Sequence, residues 1–82
     1  MATIIRTDGT RVENYNHQGL EAKQKAVGGY IEPVYTSEGV VLVNEDGLFR
    51  NLPINYEASL LTDRTIVGDV LVLTREEWAS DN

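Results

Sequence analysis

Three asparagines and two carboxylates follow one apolar run and are the side chains best placed to bind a ligand. The run, residues 40–43, is β-branched and aliphatic throughout, which is typical of a strand buried on both faces. The polar set comes next along the chain: Asn44, Glu45, Asp46, Asn51 and Asn55. Asparagine amides both donate and accept hydrogen bonds, so three of them near one strand end could read a purine edge or a ribose. Alternatively, they cap turns and the helix that should begin after Asn55, which is the interpretation that we prefer.

Two further sets of residues could do chemistry, and each has a simpler structural explanation. Glu45 and Asp46 could hold a divalent cation together with Asn44, but no loop of calcium-site spacing surrounds them and turns are rich in aspartate. His17, the single histidine, could act as a general base. The chain has no cysteine, and no serine or aspartate has the local setting of an activated nucleophile. We therefore predict no catalytic residue, no metal site and no cofactor.

The remaining candidates for binding are four aromatic side chains and one carboxylate. Tyr30, Tyr35, Tyr56 and Trp78 are amphipathic and would mark an interface if they were exposed together, whereas scattered they would belong to the core and its rim. Asp69 follows a glycine inside a predicted strand and could point outward as a ligand or partner contact.

Length and charge restrict the fold and the partners. The 82 residues, 41% hydrophobic and 24% charged, predict one globular domain over residues 1–82 with a small core, for which oligomerisation would bury more surface. The net charge of −6 argues against direct binding to nucleic acid or to anionic membranes and permits binding to a basic protein surface, although solubility alone would explain it. No transmembrane run or leader pattern is visible, so we expect a cytoplasmic protein.

The first half of the chain reads as two hairpins around a helix. β-prone segments on either side of Asp8-Gly9 predict the first hairpin, residues 3–15. Asn16 is the expected cap of a helix over residues 17–27 that ends at Gly28-Gly29. Residues 30–44 then predict a second hairpin, in which a proline indicates an edge strand or a bulge.

The second half predicts two short helices and one strand. Residues 48–54 are ambiguous and could pair as an extended segment across the Asp46-Gly47 turn, whose glycine suits left-handed backbone angles. Asn55 should open a helix over residues 56–61, and residues 66–73 should form a strand. Thr74 and Glu77 have capping-box spacing for a last helical turn, before a frayed tail at residues 80–82.

Together these elements predict an α+β domain. Its sheet should be antiparallel, with four or five strands, and strongly curved or barrel-like, because hairpins with few helices dominate the pattern. One main helix and one or two short helices should accompany this sheet.

Four short motifs in order resemble the small DUF3846 family. They are Val27–Glu32, Val43–Gly47, Leu52–Asn55 with Ala58, and Ile66–Val70, so that the resemblance covers residues 3–73. This family, whose function is unknown, is frequent in phages and mobile elements and has no established catalytic residues. The resemblance implies a setting in which small proteins often antagonise or retune host machinery.

Three classes of function follow from these observations. The one that we expect is a non-catalytic protein that binds a host protein, such as a nucleic-acid enzyme or a defence factor, through an acidic and aromatic face. The alternative is a small-molecule binder, for example a sponge for a nucleotide signal, with its pocket near the segment from Asn44 to Asn55. An enzyme is the least favoured class, because no nucleophile–base pair is visible.

Overall fold

Five strands and three helices make up residues 2–80, the part of the chain that the computed structural model describes. In chain order they are β1 Ala2–Ile5, β2 Arg11–Tyr15, α1 Leu20–Val27, β3 Ile31–Tyr35, β4 Val40–Asn44, α2 Tyr56–Thr62, β5 Val70–Leu73 and α3 Arg75–Ser80. No helix within these residues is long and apolar enough to cross a membrane.

The sheet is antiparallel throughout and has the strand order β2-β1-β5-β4-β3. The two predicted hairpins, β1–β2 and β3–β4, are therefore confirmed, and β5 lies between them at the centre. The α+β class is confirmed as well, with one helix of eight residues and two shorter ones.

The sheet is open rather than closed into a barrel, because its edge strands β2 and β3 do not pair with each other. Both edges carry features that hinder further pairing. Pro33 lies in β3 and has no amide hydrogen to donate, which confirms its predicted edge position. In β2 the register with β1 shifts between Ala2 and Ile4, and Asn14 has a φ of 57°.

Strand β4 is buried over its whole length, as its apolar run predicted, and its side chains alternate between two layers. On the α1 face, Val40 and Leu42 pack in a cluster with Ala26 and Val27 of α1. The opposite side of the sheet, the α2 face, is covered by a second cluster. Its buried members are Ile5, Val34, Val41, Val43, Ala58, Ile66 and Val70.

Helix α1 begins later than its sequence predicts. The expected cap, Asn16, accepts a local hydrogen bond from the Gln18 amide (3.3 Å) and caps no helix. Gly19 occupies the N-cap position with φ 87° and no side-chain bond, and this left-handed backbone separates the loop from the helix. The predicted end is correct, since Gly28 is left-handed (φ 79°) and its amide bonds to the Gln24 carbonyl.

The caps of the two short helices are confirmed. The Asn55 side chain accepts a hydrogen bond from the Ala58 amide (3.1 Å) at the start of α2. Thr74 and Glu77 form a reciprocal capping box at α3, with bonds of 2.8 and 3.0 Å. The predicted tail is only partly covered: Ser80 is helical, and residues 81–82 lie outside the described residues.

The segments before and after α2 differ from prediction. Residues 45–51 form a continuous turn, and Ile54 pairs in an isolated bridge with Val67 rather than across the Asp46-Gly47 turn. The predicted strand over residues 66–73 is wrong at its start, because β5 begins only at Val70. Gly68, left-handed at φ 82°, interrupts the extended backbone.

Gly47 is needed for a close approach of two segments and not for the left-handed backbone angles that its sequence predicts. Its φ is not positive, and the left-handed residue of the turn is Asn51 (φ 53°). A Cβ at Gly47 would lie 2.7 Å from Val67 Cγ2, so the glycine allows the turn to approach the segment before β5.

Replacing Asn55 with alanine should lower the free energy of unfolding by about 3 kcal/mol, because a cap is worth ~1 kcal/mol and each orphaned buried polar group costs ~1–3 kcal/mol. Besides capping α2, its amide nitrogen donates to the carbonyls of Ile5 (2.9 Å) and Gly68 (3.0 Å). Urea denaturation measures the loss. The control is Asn16→Ala, an exposed asparagine with a local bond, which should change stability by less than about 0.5 kcal/mol. A loss below about 1 kcal/mol in Asn55→Ala would contradict this role.

Candidate functional site

Two of the three asparagines expected near a pocket are buried and bond to the protein backbone. Asn44 is buried, donates to the Val27 carbonyl (3.1 Å) and accepts from the Asp46 amide (2.8 Å). Asn55 is 1% exposed, and its amide oxygen and nitrogen both bond to backbone groups. Asn51 is exposed in the turn. The three side chains therefore do not present a shared surface that could read a base.

The acidic turn after β4 lies at the surface. Glu45 and Asp46 are both exposed, and Asp46 borders a hollow of about 330 Å³ together with Tyr30 and Arg50. Within residues 2–80, no group of three or more histidine, aspartate or glutamate side chains could hold a metal ion.

Of the four aromatic candidates, Tyr35 and Trp78 are in contact, and the other two lie elsewhere on the molecule. Trp78 is half-buried against the core of the α1 face, and its indole nitrogen donates to the Tyr35 hydroxyl (3.2 Å). Tyr56 is exposed on α2, which covers the other side of the sheet. Tyr30 is exposed just before β3. The structure does not bring Trp78 and Tyr56 into one interface.

The outer surface of α2 is apolar, although it faces solvent. Tyr56 and Leu60 lie one turn apart on one side of the helix and are 73% and 84% exposed. Leu61 is half-exposed beside them, and Ala58 is fully buried on the inner side. We call Tyr56, Leu60 and Leu61 the α2 outer face. It belongs to a wider trend, because six of the nine exposed large apolar side chains among residues 2–80 lie between Leu48 and Leu61.

Polar groups of α2 are turned toward the protein, which accounts for its unusual outer surface. The Ser59 hydroxyl donates to the Asn55 carbonyl (2.8 Å) and accepts from the Ile66 amide (2.9 Å). The Thr62 hydroxyl donates to the Ala58 carbonyl within the helix (2.9 Å). The Ser59 bond to Ile66 and the Asn55 bonds to Ile5 and Gly68 tie the helix to the rest of the protein, and the apolar residues are left on the outside.

A hollow of about 170 Å³ lies next to the α2 outer face. Leu61 forms part of its wall, and Val41 and Val72 of the sheet form another part. Glu38, an exposed acidic residue in the β3–β4 turn, also lines this hollow. Helix α2 has only seven residues, and this hollow remains beside it on the α2 face.

A second concave region lies between the end of α1, the 45–51 turn and the segment before β5. One hollow of about 240 Å³ has Lys25, Arg50 and Asp69 in its lining. A second, of about 260 Å³, shares Lys25 and Asp69 with the first and adds Arg6. We call the two together the cationic groove. Asp69, a predicted binding residue, lies here and accepts a hydrogen bond from the Thr7 amide (3.1 Å).

His17 and Lys23 both interact with other groups of the protein. His17 Nε2 lies 3.6 Å from Glu77 Oε2 of α3. Lys23 is buried, and its Nζ donates to the His17 carbonyl (2.7 Å). Burial lowers the pKa of Lys23 below its ordinary value of 10.5. Nothing local in the sequence shows that this lysine points inward.

Sequence reasoning missed the residues that define the two concave or apolar regions. Leu60 was placed on a short helix, but seven residues are too few for periodicity to show which side is buried. Neither Lys25 nor Arg50 stands out in the sequence. They are 25 residues apart, so no local pattern could have placed them in one groove.

Stability should depend on pH through Lys23. Because its pKa is lowered in the folded state, the unfolded chain binds more protons between that value and 10.5, and stability should rise with pH in this window. Urea denaturation from neutral to alkaline pH should show that Lys23→Met loses this part of the slope. The control, Lys25→Met, changes an exposed lysine two residues away and should keep it. Equal slopes in wild type and Lys23→Met would contradict the assignment.

Comparison with known proteins places the chain in a family without supplying a function. No curated protein and no solved structure matches it. One family model, described as a domain of unknown function (DUF3846), matches residues 1–81 and confirms the resemblance seen in the short motifs. Since the match spans essentially the whole sequence, the chain belongs to the DUF3846 family.

Proposed function

We propose that this is a non-catalytic interaction protein that binds a host protein through the α2 outer face. The observation that carries the proposal is that the large apolar side chains of α2, Tyr56 and Leu60, face solvent, while the small Ala58 faces the core. Exposed apolar side chains grouped on one helix are a common feature of protein interfaces.

The energetics of this surface suit a protein partner. Fully burying a leucine side chain contributes roughly 1.5–3 kcal/mol, and aromatic side chains are frequent interface hot spots. Leu60 and Tyr56 supply one residue of each kind, and Leu61 leads into the adjacent hollow. A partner could therefore seat an apolar side chain in the hollow while it covers the helix.

Charge supports a basic partner. The chain carries a net charge of −6, Glu38 lines the hollow, and Asp63 is exposed at the end of α2. Such a distribution would speed association with a cationic surface, including one that normally holds nucleic acid. The concrete form of the proposal is a phage- or mobile-element-encoded protein that acts in the host cytoplasm on a nucleic-acid enzyme or a defence factor.

The alternative of a nucleotide reader built from asparagines has weaker support. Asn44 and Asn55 are buried, and their amides already bond to the backbone. A ligand would have to break these bonds, which hold α1 and α2 to the sheet, before it could use the amides.

Substituting Leu60 with aspartate should abolish capture of the partner, because a charge replaces the most exposed apolar side chain of α2. Tagged wild type and Leu60→Asp are compared as baits in host lysate by quantitative mass spectrometry at about 150 mM salt. The matched control is Leu20→Asp, an exposed leucine at the start of α1.

Support requires a protein that is captured by wild type and Leu20→Asp, is lost with Leu60→Asp, and binds again when both partners are purified. Its affinity should fall as salt rises, since charge contributes to the encounter. Equal capture by all three baits would contradict the role of the α2 outer face. If light scattering showed a wild-type dimer that Leu60→Asp splits into monomers, the face would be a self-contact and the proposal would be wrong.

A further inference from the structure

Three of the seven cationic side chains of this acidic chain lie along one groove. Lys25 and Arg50 line its first hollow, and Arg6 joins Lys25 in the second. They come from three different parts of the chain, namely the segment after β1, the last turn of α1 and the turn after β4. Their convergence is therefore a product of the tertiary structure.

Within residues 2–80, these three cations form no close ion pair. No carboxylate oxygen of the described residues lies within 4.0 Å of Arg6, Lys25 or Arg50. By contrast, Arg11 is paired with Glu57 on the other side of the sheet. With three cations and one carboxylate, Asp69, in its lining, the groove keeps an excess of positive charge in a protein whose net charge is −6.

Arg50 is held in position and still has donors to offer. Its Nη1 donates to the Gly28 carbonyl (2.8 Å) at the end of α1. A guanidinium carries five N–H groups, so several remain for a second acceptor in a forked geometry that matches phosphate oxygens. Anchoring at Gly28 reduces the entropy that a ligand would otherwise have to take from this side chain.

The other walls restrict what kind of anion fits. Ala26, Leu52 and Pro53 give the first hollow an apolar side, where a carbon skeleton could rest. Asp69 brings one acceptor into both hollows, and its position is fixed by the bond from the Thr7 amide. This carboxylate would repel a bare anion but would accept a hydrogen bond from a hydroxyl group.

We propose that the cationic groove binds a small phosphate-bearing molecule with a hydroxylated carbon skeleton. Lys25 and Arg50 hold the phosphate, with Arg6 as a further cation, and Asp69 accepts from a hydroxyl. The hollows of about 240 and 260 Å³ suit a ligand no larger than a sugar phosphate or a mononucleotide. No residue of the α2 outer face lines the groove, so this site is independent of the proposed protein interface.

The test uses the purified chain with three probes: inorganic phosphate, ribose 5-phosphate and adenosine monophosphate. Titrations followed by amide NMR should give saturable shifts at Thr7, Gly28 and Gly68, which line the first hollow. Lys25→Gln should weaken binding of ribose 5-phosphate about tenfold, because a charge-assisted bond to phosphate is lost. The matched control is Arg64→Gln, an exposed cation outside the groove, which should leave affinity within about twofold.

The Asp69→Asn variant tests the contacts to the phosphate and to the hydroxyl group separately. Removing the carboxylate should strengthen the binding of inorganic phosphate, because an electrostatic repulsion disappears. It should weaken the binding of ribose 5-phosphate, because the asparagine amide is a poorer acceptor for a hydroxyl group. Lys25→Gln is preferred to Arg50→Gln, because Arg50 also holds the end of α1. The proposal is overturned if none of the probes gives saturable shifts, or if Arg64→Gln weakens binding as much as Lys25→Gln does.

Discussion

The burial of β4 on both faces is the constraint on which the rest of this structure depends. Its residues Val40 to Val43 place alternate side chains into two cores, and β5 lies beside it at the centre of the sheet. Two separate layers must then cover one small sheet. Helices α1 and α3 cover one side, and the seven-residue α2 is left to cover the other, which leaves a hollow beside it.

The position of α2 on the sheet determines which side chains form structural hydrogen bonds. Asn55 ties the start of α2 to β1 and to the segment before β5, while Ser59 ties the helix to Ile66. Because these polar groups point inward, the apolar Tyr56 and Leu60 point outward. Asn44 and Asn55, which looked like part of a ligand site in the sequence, thus stabilise the fold, and the apolar side chains of α2 supply the proposed interface.

The two proposed sites differ in chemistry and in the elements that build them. The α2 outer face is apolar with acidic neighbours, and it suits a basic protein. The cationic groove gathers Arg6, Lys25 and Arg50 against the overall charge of −6, and it suits a small anion. An 82-residue chain can carry both because the α2 outer face with its hollow and the cationic groove share no lining residue.

The sequence by itself determined the features that depend on neighbours within a few residues. The caps at Asn55 and Thr74, the glycine stop at Gly28, the two hairpins and the doubly buried β4 were all predictable, because each rests on a local hydrogen bond or a short apolar run. The left-handed backbone at Gly19 was not predictable, since a glycine permits that backbone without requiring it.

Only the tertiary structure decided which distant groups meet. Asn44 bonds to Val27, 17 residues away, and Lys25 shares a hollow with Arg50 and Asp69 because the end of α1 lies near the turn after β4 and the segment before β5. Such meetings follow from strand order and from the rotation of each helix on the sheet. Those quantities depend on the whole core, and no short stretch of sequence contains them.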